Sequence, residues 1–267
     1  MGDTSPLPGA RRPVGVFDSG VGGLSILRAL RAGLPREDFV YFSDGGHAPY
    51  GERGDAYVAA RSQAITQELR AQHGIKALVV ACNTATTAAV HLLRAEHPDL
   101  PIIGVEPALK PAIALSRTGR IGIMATRGTL ASAKFRALHE ALAGQAEFIV
   151  QPCDGLADAI QSADATKTIA LCDQYTRTLG SFGSGNGQID TLVLGCTHYT
   201  FASDVLRALV GPQVTLVDTG EPVARQTRQR LEAAGLLATD EAGGGQLRLL
   251  GTDRPGALEA AAARWLA

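Results

Sequence analysis

Lysine is scarce in this chain. There are four, Lys76, Lys110, Lys134 and Lys167, and none follows a glycine-rich phosphate loop or has an obvious setting for a Schiff base. That sets aside P-loop nucleotide chemistry and gives no support to a pyridoxal enzyme. An excess of charge of one sign is also lacking. The 267 residues carry a formal net charge of −1 with no Lys/Arg block, which argues against nucleic acid or a membrane surface as a partner. No window approaches about 18 consecutive apolar residues, so no membrane span is expected. Residues 1–13 are polar and rich in Gly and Pro, without the apolar segment of a signal peptide. Cysteine is limited to Cys82, Cys153, Cys172 and Cys196, with no C-x-x-C spacing, so neither a zinc ribbon nor a disulfide framework is indicated. His47, His73, His91, His97 and His139 show no metal-ligand spacing, and no metal is expected. This cysteine usage fits a reducing, cytoplasmic setting in which thiols stay available for chemistry.

What is present is a chain able to build a core. Apolar residues make up 45% of it, and the mean hydropathy is +0.06. Short β-like runs at 14–17, 39–43, 78–81, 102–105, 121–125, 148–150, 191–194 and 214–217 alternate with helical patterns. Those patterns cover 24–32, 55–73, 84–96, 129–142, 166–179, 201–209 and 222–233. Such alternation predicts an α/β protein with parallel sheets covered by helices on both faces, and the unbroken apolar runs agree. Residues 181–188 (SFGSGNGQ) read as a loop, and 247–250 as a further strand that returns to the first unit.

The chain also echoes itself. Val14-Gly15-Val16-Phe17 resembles Ile121-Gly122-Ile123-Met124, and Ile103-Gly104-Val105-Glu106 loosely resembles Thr215-Leu216-Val217-Asp218. Between them, LVVACNT (78–84) matches LVLGCTH (192–198). Three matches in one order predict two copies of one doubly wound α/β unit facing a shared cleft.

The cysteine frames carry the chemistry. Each is an apolar strand, a small residue, a thiol and then hydroxyl or amide groups. Ligands of open α/β sheets bind beyond the carboxyl ends of strands, where both thiols fall. A single such cysteine reads most simply as a small buried hydrophobe. Two in equivalent frames read as a pair, able to take a proton from one face of an atom and return it to the other. A helix starting after each would offer a positive N-terminal dipole to a thiolate.

Asp18-Ser19-Gly20-Val21-Gly22-Gly23 follows the first strand with the exposed amides that suit an anion. Its glycines do not match the dinucleotide pattern G-x-G-x-x-G, and an ordinary capped turn is the plain alternative. His198, two residues after Cys196, has the ordinary pKa (~6.5) of a proton shuttle, although a lone histidine is commonly structural. Tyr50 and Gly51 lie in a loop after the second strand, where Tyr50 would cover a ligand and offer its hydroxyl. Thr126 and Thr129 occupy the second unit's counterpart of the Asp18 loop, as hydroxyl donors or helix caps. Cys153 and Cys172 lack the frame and read as structural.

These residues resemble the glutamate racemase family of the Asp/Glu racemase superfamily. The matching segments are GVFDSGVGGLSILRAL (15–30), YFSDGGHAPYGER (41–53), LVVACNTATTAA (78–89), PIIGVEPALKPA (101–112), IGIMATRGT (121–129), LVLGCTHYTF (192–201) and LVDTGEPVA (216–224). The resemblance implies a cofactor-independent racemase with two similar α/β domains and the active site between them. It implies Cys82 and Cys196 as catalytic bases for D- and L-glutamate respectively, assisted by Asp18 and His198. Implied substrate contacts are Asp18, Ser19, Tyr50, Gly51, Asn83, Thr84, Thr197 and His198, to which the reading above adds Thr126 and Thr129. A role in supplying D-glutamate for peptidoglycan, a homodimer, and a domain split into 1–106 plus 216–267 against 107–215 are implied as well.

One departure stands out. Many members carry a glutamate after the second strand of the second unit, where this chain has Gln161. An amide cannot move a proton as a carboxylate does, and Asp158 is the nearest substitute. The competing readings are a relative acting on aspartate, hydantoins or arylmalonates, and a two-lobed carboxylate-binding protein that needs the cleft but not the thiols.

Overall fold

The computed structural model describes residues 9–238 and 245–266. The polar N-terminal stretch expected over residues 1–13 therefore lies outside the described residues as far as residue 8.

The first half runs β1 (Val14–Asp18), α1 (Leu24–Gly33), β2 (Phe39–Ser43), α2 (Asp55–His73), β3 (Ala77–Val80), α3 (Asn83–Glu96) and β4 (Ile102–Gly104). The second runs α4 (Leu109–Leu115), β5 (Arg120–Ala125), α5 (Arg127–Ala131), α6 (Ala133–Ala141), β6 (Glu147–Pro152), α7 (Leu156–Gln161), α8 (Ala165–Leu179), β7 (Thr191–Gly195), α9 (Ser203–Val210) and β8 (Thr215–Val217). The chain closes with α10 (Gly220–Ala233), β9 (Leu247–Gly251) and α11 (Ala257–Trp265).

Two parallel sheets result, ordered β4-β3-β1-β2-β9 and β6-β5-β7-β8. Apart from β9, they are the same arrangement: β1 and β5 are the inner strands, β3 and β7 flank them, and β4 and β8 form one edge. Val14 pairs with Phe39 and Ala77, while Ile121 pairs with Phe148 and Thr191. The internal sequence echo is thus an echo of strand position. β1, β3 and β7 are buried along their whole length because helices cover both faces, so their runs are continuously apolar rather than alternating.

Each sheet has two cores. Val14, Val16 and Val79 meet α1, α10 and α11 on one face of the first sheet, and Phe17, Leu78 and Val80 meet α2 and α3 on the other. In the second sheet Leu192, Leu194 and Leu206 pack on one face, and Ile121, Val193 and Phe135 on the other. The strand expected at 247–250 is β9, which lies parallel to β2 and returns the chain to the first sheet. Trp265 of α11 then stacks on Phe201, with ring centroids 4.2 Å apart. β8 belongs to the second sheet, so the expected boundary at residue 216 falls inside a strand.

The helix expected over 129–142 is two helices. Ser132 leaves helical geometry (φ −68°, ψ 147°), and its hydroxyl accepts the Phe135 N–H to start α6. α4 and α7, of 7 and 6 residues, were too short to show a periodic pattern. The 181–188 loop is closed by a bridge between Phe182 and Ile189.

Candidate active site

In each sheet the chain leaves the inner strand to one side and returns on the other, so a crevice opens at the carboxyl ends between β1 and β3, and between β5 and β7. Cys82 and Cys196 stand at those ends. Both thiols are in the wall of one narrow cavity, together with Ser19, Tyr50 and Gly51 from the first half. Asn83 and Thr84 follow Cys82 into the same wall, and Thr126, Thr197 and His198 come from the second half. Asp18 and Thr129, expected as substrate contacts, are fully buried one layer behind it. A wider groove of about 370 Å³ passes Gly104, Lys110 and Arg230, but it contains none of these groups.

Cys82 caps α3: its Sγ accepts the Ala85 N–H at 3.4 Å, and the thiol points at Ser19 Oγ at 3.6 Å. Burial, reinforced by the negative charge of Asp18, pushes the thiol up to about 12, while the Ala85 amide and the Ser19 hydroxyl pull it back. Asp18 Oδ2 accepts the Gly23 N–H at 2.6 Å and the Thr197 hydroxyl at 3.4 Å. Burial lifts this carboxyl to about 6 against those amides. The glycine loop fits closely here, since a Cβ on Gly23 would collide with Asp18 and the Tyr41 hydroxyl.

Cys196 differs from the expectation of a helix start. It is extended (φ −143°) and is followed by a 3-10 segment, Thr197–Ala202, before α9, with no side-chain cap. Its thiol is driven well above the ordinary range by burial, and the charges of Cys82 and Asp18 oppose ionisation further. The backbone amides of His198 and Tyr199 work the other way. His198 Nδ1 lies 3.9 Å from Cys196 Sγ. Burial pulls His198 down to about 4, so the imidazole is neutral near pH 7.

Ala48, Pro49 and Ala157 add apolar surface to the wall, and its one charged side chain, Asp158, pairs with Lys167 at 3.3 Å. Asn83 is buried, and neither its amide nitrogen nor its oxygen has a partner among the described residues. Thr84 Oγ1 lies 3.1 Å from Thr126 Oγ1, which bonds Thr129 Oγ1 at 3.0 Å, so three hydroxyls join the two halves. Thr126 is also the cap of α5, its hydroxyl accepting the Thr129 N–H at 3.3 Å. The hydroxyl of Tyr50, expected to face a ligand, instead donates to Asp44 Oδ2 at 2.5 Å. Asp44 is itself held by both guanidinium arms of Arg61, at 2.9 and 2.7 Å, and by His47 and Thr252. Tyr50 therefore contributes its ring, backed by Phe17.

Three residues of this shell were not assigned roles from sequence. Gln161 reaches His198 Nε2 at 2.8 Å, Asp253 stands behind Gln161, and Asp44 anchors Tyr50. Only Gln161 carried a signal, as a departure from a motif. Asp44 lies inside the matching segment 41–53 but without a role of its own there, and Asp253 lies far along the chain in ordinary loop sequence.

A parallel doubly wound pair of halves with a thiol at the end of each equivalent strand defines a class. Residues 22–227 match the family model described as Asp/Glu/hydantoin racemase, and the chain belongs to that family. Within it, the similarity is to glutamate racemases. The chain is 50% identical over 235 residues to the glutamate racemase of Ectopseudomonas mendocina, covering 87% of each, and 48% identical over 233 residues to that of Ralstonia pickettii, covering 87% of this chain and 81% of the relative. Its fold matches glutamate racemase RacE1 of Bacillus anthracis (TM-score 0.82, 31% identity, 96% and 94% of the two chains). It also matches the Francisella tularensis glutamate racemase solved with D-glutamate (TM-score 0.79, 26% identity, 96% and 94%). Among the described residues, no helix is long and apolar enough to cross a membrane.

Proposed function

We propose that this protein interconverts L- and D-glutamate by exchanging the α-proton between two thiols, Cys82 and Cys196. The observation that carries the reading is that both thiols, from equivalent strand ends of two similar halves, line one narrow cavity. The similarity to glutamate racemases of several organisms supports the substrate.

In the direction from L-glutamate, the Cys196 thiolate takes the α-proton and becomes a thiol. Cys82 gives its proton to the opposite face of Cα and becomes the thiolate. The reverse direction exchanges the roles. Burial keeps both thiols neutral in the free cavity. When substrate binds, the thiol that acts as base passes its proton to its assisting group, His198 for Cys196 or Asp18 for Cys82, and the substrate ammonium favours the resulting thiolate. No lysine or arginine is in the wall, so the carbanion is stabilised by hydrogen bonds to the substrate carboxylate from Ser19, Asn83, Thr84 and Thr197. The unpartnered Asn83 amide is the group most in need of such a ligand. Asp18 assists Cys82, and His198 assists Cys196. We place the division between halves near residue 106 and after β8, and assign D-glutamate supply for peptidoglycan in the cytoplasm as the biological role.

The test is the appearance of D-glutamate from L-glutamate with purified, reduced protein and no added pyridoxal phosphate or metal, with solvent deuterium entering Cα. Folded protein without turnover would sink the reading. Cys82→Ser and Cys196→Ser are each expected to lower turnover by about 10²–10⁴-fold with the fold retained. Near wild-type turnover in either variant would remove that thiol from the mechanism.

A further inference from the structure

We propose that Gln161 is a positioning residue whose side-chain carbonyl selects the Nε2–H tautomer of His198, so that the Nδ1 lone pair is presented to the Cys196 thiol. The consequence for turnover rests on the racemase reading above; the tautomer itself does not.

The argument is one of donors and acceptors. Gln161 is the last residue of α7, and its Oε1 lies 2.9 Å from the backbone nitrogen of Val21 and 2.8 Å from His198 Nε2. A backbone N–H can only donate, so the amide atom facing it must be the oxygen. The usual ambiguity of an amide flip is thereby removed. An oxygen that accepts from Val21 can only accept from His198 as well, and Nε2 must carry a proton. In a neutral imidazole the other nitrogen is then an acceptor, and Nδ1 is the nitrogen 3.9 Å from Cys196 Sγ. The amide nitrogen of Gln161 points the opposite way, to Asp253 Oδ1 at 3.4 Å, which agrees with the same orientation. The glycine loop leaves little slack: a Cβ on Gly20 would strike Gln161, and one on Gly22 would strike His198 Nδ1.

The chemistry of an amide in this place differs from that of a carboxylate. Both accept from Nε2, but a carboxylate would stabilise the imidazolium and turn Nδ1 into a donor at higher pH. Gln161 orients His198 without charging it. The other titratable groups around the imidazole are Cys196 and Cys82 in the wall, Asp18 behind the glycine loop, Asp158 on α7 and Asp253 behind Gln161.

The experiment is nitrogen NMR of protein labelled with ¹⁵N-histidine, with His198 assigned from the spectrum of His198→Gln, alongside pH profiles of kcat/KM. The expected result for the unmodified protein is a protonated Nε2 and an unprotonated Nδ1 at pH 7–8 (roughly, above the ordinary imidazole pKa). Gln161→Leu is expected to lose that preference and at least about tenfold in kcat/KM, most of it in kcat. L- and D-glutamate are equal in free energy, so the loss must be the same in both directions. Gln161→Glu, nearly the same shape, is expected to keep the Nε2–H tautomer and to move the acid limb of the profile to higher pH. An Nδ1–H tautomer in the unmodified protein, or an unchanged tautomer in Gln161→Leu, would overturn the proposal. If Gln161→Leu does not fold, the unmodified spectrum and Gln161→Glu still decide it. Failure to racemise glutamate, with the Nε2–H tautomer observed, would strike the functional reading and leave the tautomer assignment standing.

Discussion

Two buried titratable residues at this site pull the pH dependence of stability in opposite directions. Asp18 is raised to about 6, so the folded state holds a proton that the unfolded chain releases above its ordinary value, and this group favours folding more as pH falls from about 6. His198 is lowered to about 4, so between its ordinary value and 4 the unfolded chain binds a proton that the folded state refuses. Its contribution is present above the ordinary imidazole pKa and is lost as pH falls toward 4. At pH 4 that loss amounts to about 3 kcal/mol. His198→Gln should therefore gain about 3 kcal/mol relative to the unmodified protein on going from pH 7.5 to pH 4, read by urea unfolding (roughly, order of magnitude). Parallel pH curves for the two proteins would refute the buried, neutral imidazole. The repeated frame in the sequence marks Cys82 and Cys196, and closeness to Cys196 alone marks His198; the structure brings the three into one cavity wall. The direction of the Tyr50 hydroxyl was not, because Asp44 and Arg61 claim it from other parts of the chain.

At the scale of elements, apolar pattern decided most of the structure. The fully buried strands β1, β3 and β7 were legible because short unbroken runs rich in β-branched residues, too short for a helix and bounded by turn residues, suit a sheet covered on both faces. The misread helix at 129–142 shows the limit. Its apolar spacing continues through Ser132, yet the serine hydroxyl competes for the Phe135 amide and restarts the helix. Ser132→Ala is expected to cost about 1 kcal/mol of stability and to leave kcat/KM unchanged. A serine that caps nothing would show no loss in thermal or urea unfolding. No side chain caps the start after Cys196: a 3-10 segment replaces the expected helix, the Tyr199 N–H bonds the Cys196 carbonyl, and the His198 and Tyr199 amides come under the thiol. A helix of standard form there would have offered its N-terminal dipole instead.

The first half is tied together at the end opposite the cavity. Lys76, just before β3, is buried and forms an ion pair with Glu37 at 2.5 Å. Its Nζ also donates to the Ala10 carbonyl at 2.6 Å, and Glu37 accepts the Ala238 N–H at 2.8 Å. One pair thus joins the start of the chain, the first sheet and the segment after α10. Lys76 and Cys82 stand at opposite ends of one strand, about 20 Å apart at ordinary strand rise. Lys76→Met would strand a buried carboxylate and should lower stability by about 3–5 kcal/mol, while the folded fraction keeps its kcat. Loss of kcat without loss of stability would show that the lysine reaches the chemistry after all.

Sequence alone determined the class of fold, the repeat and the two thiols, because hydrophobic period and local motif are properties of short segments. It also marked Gln161 as different. Tertiary structure decided what that difference does: the Val21 amide, the His198 ring and Asp253 meet Gln161 only when the glycine loop, the segment after β7 and the return through β9 are packed against α7. Proton positions in this site depend on which donor faces which acceptor, and on how far water is excluded. Both are set by contacts between residues as much as 179 positions apart, which no local pattern encodes.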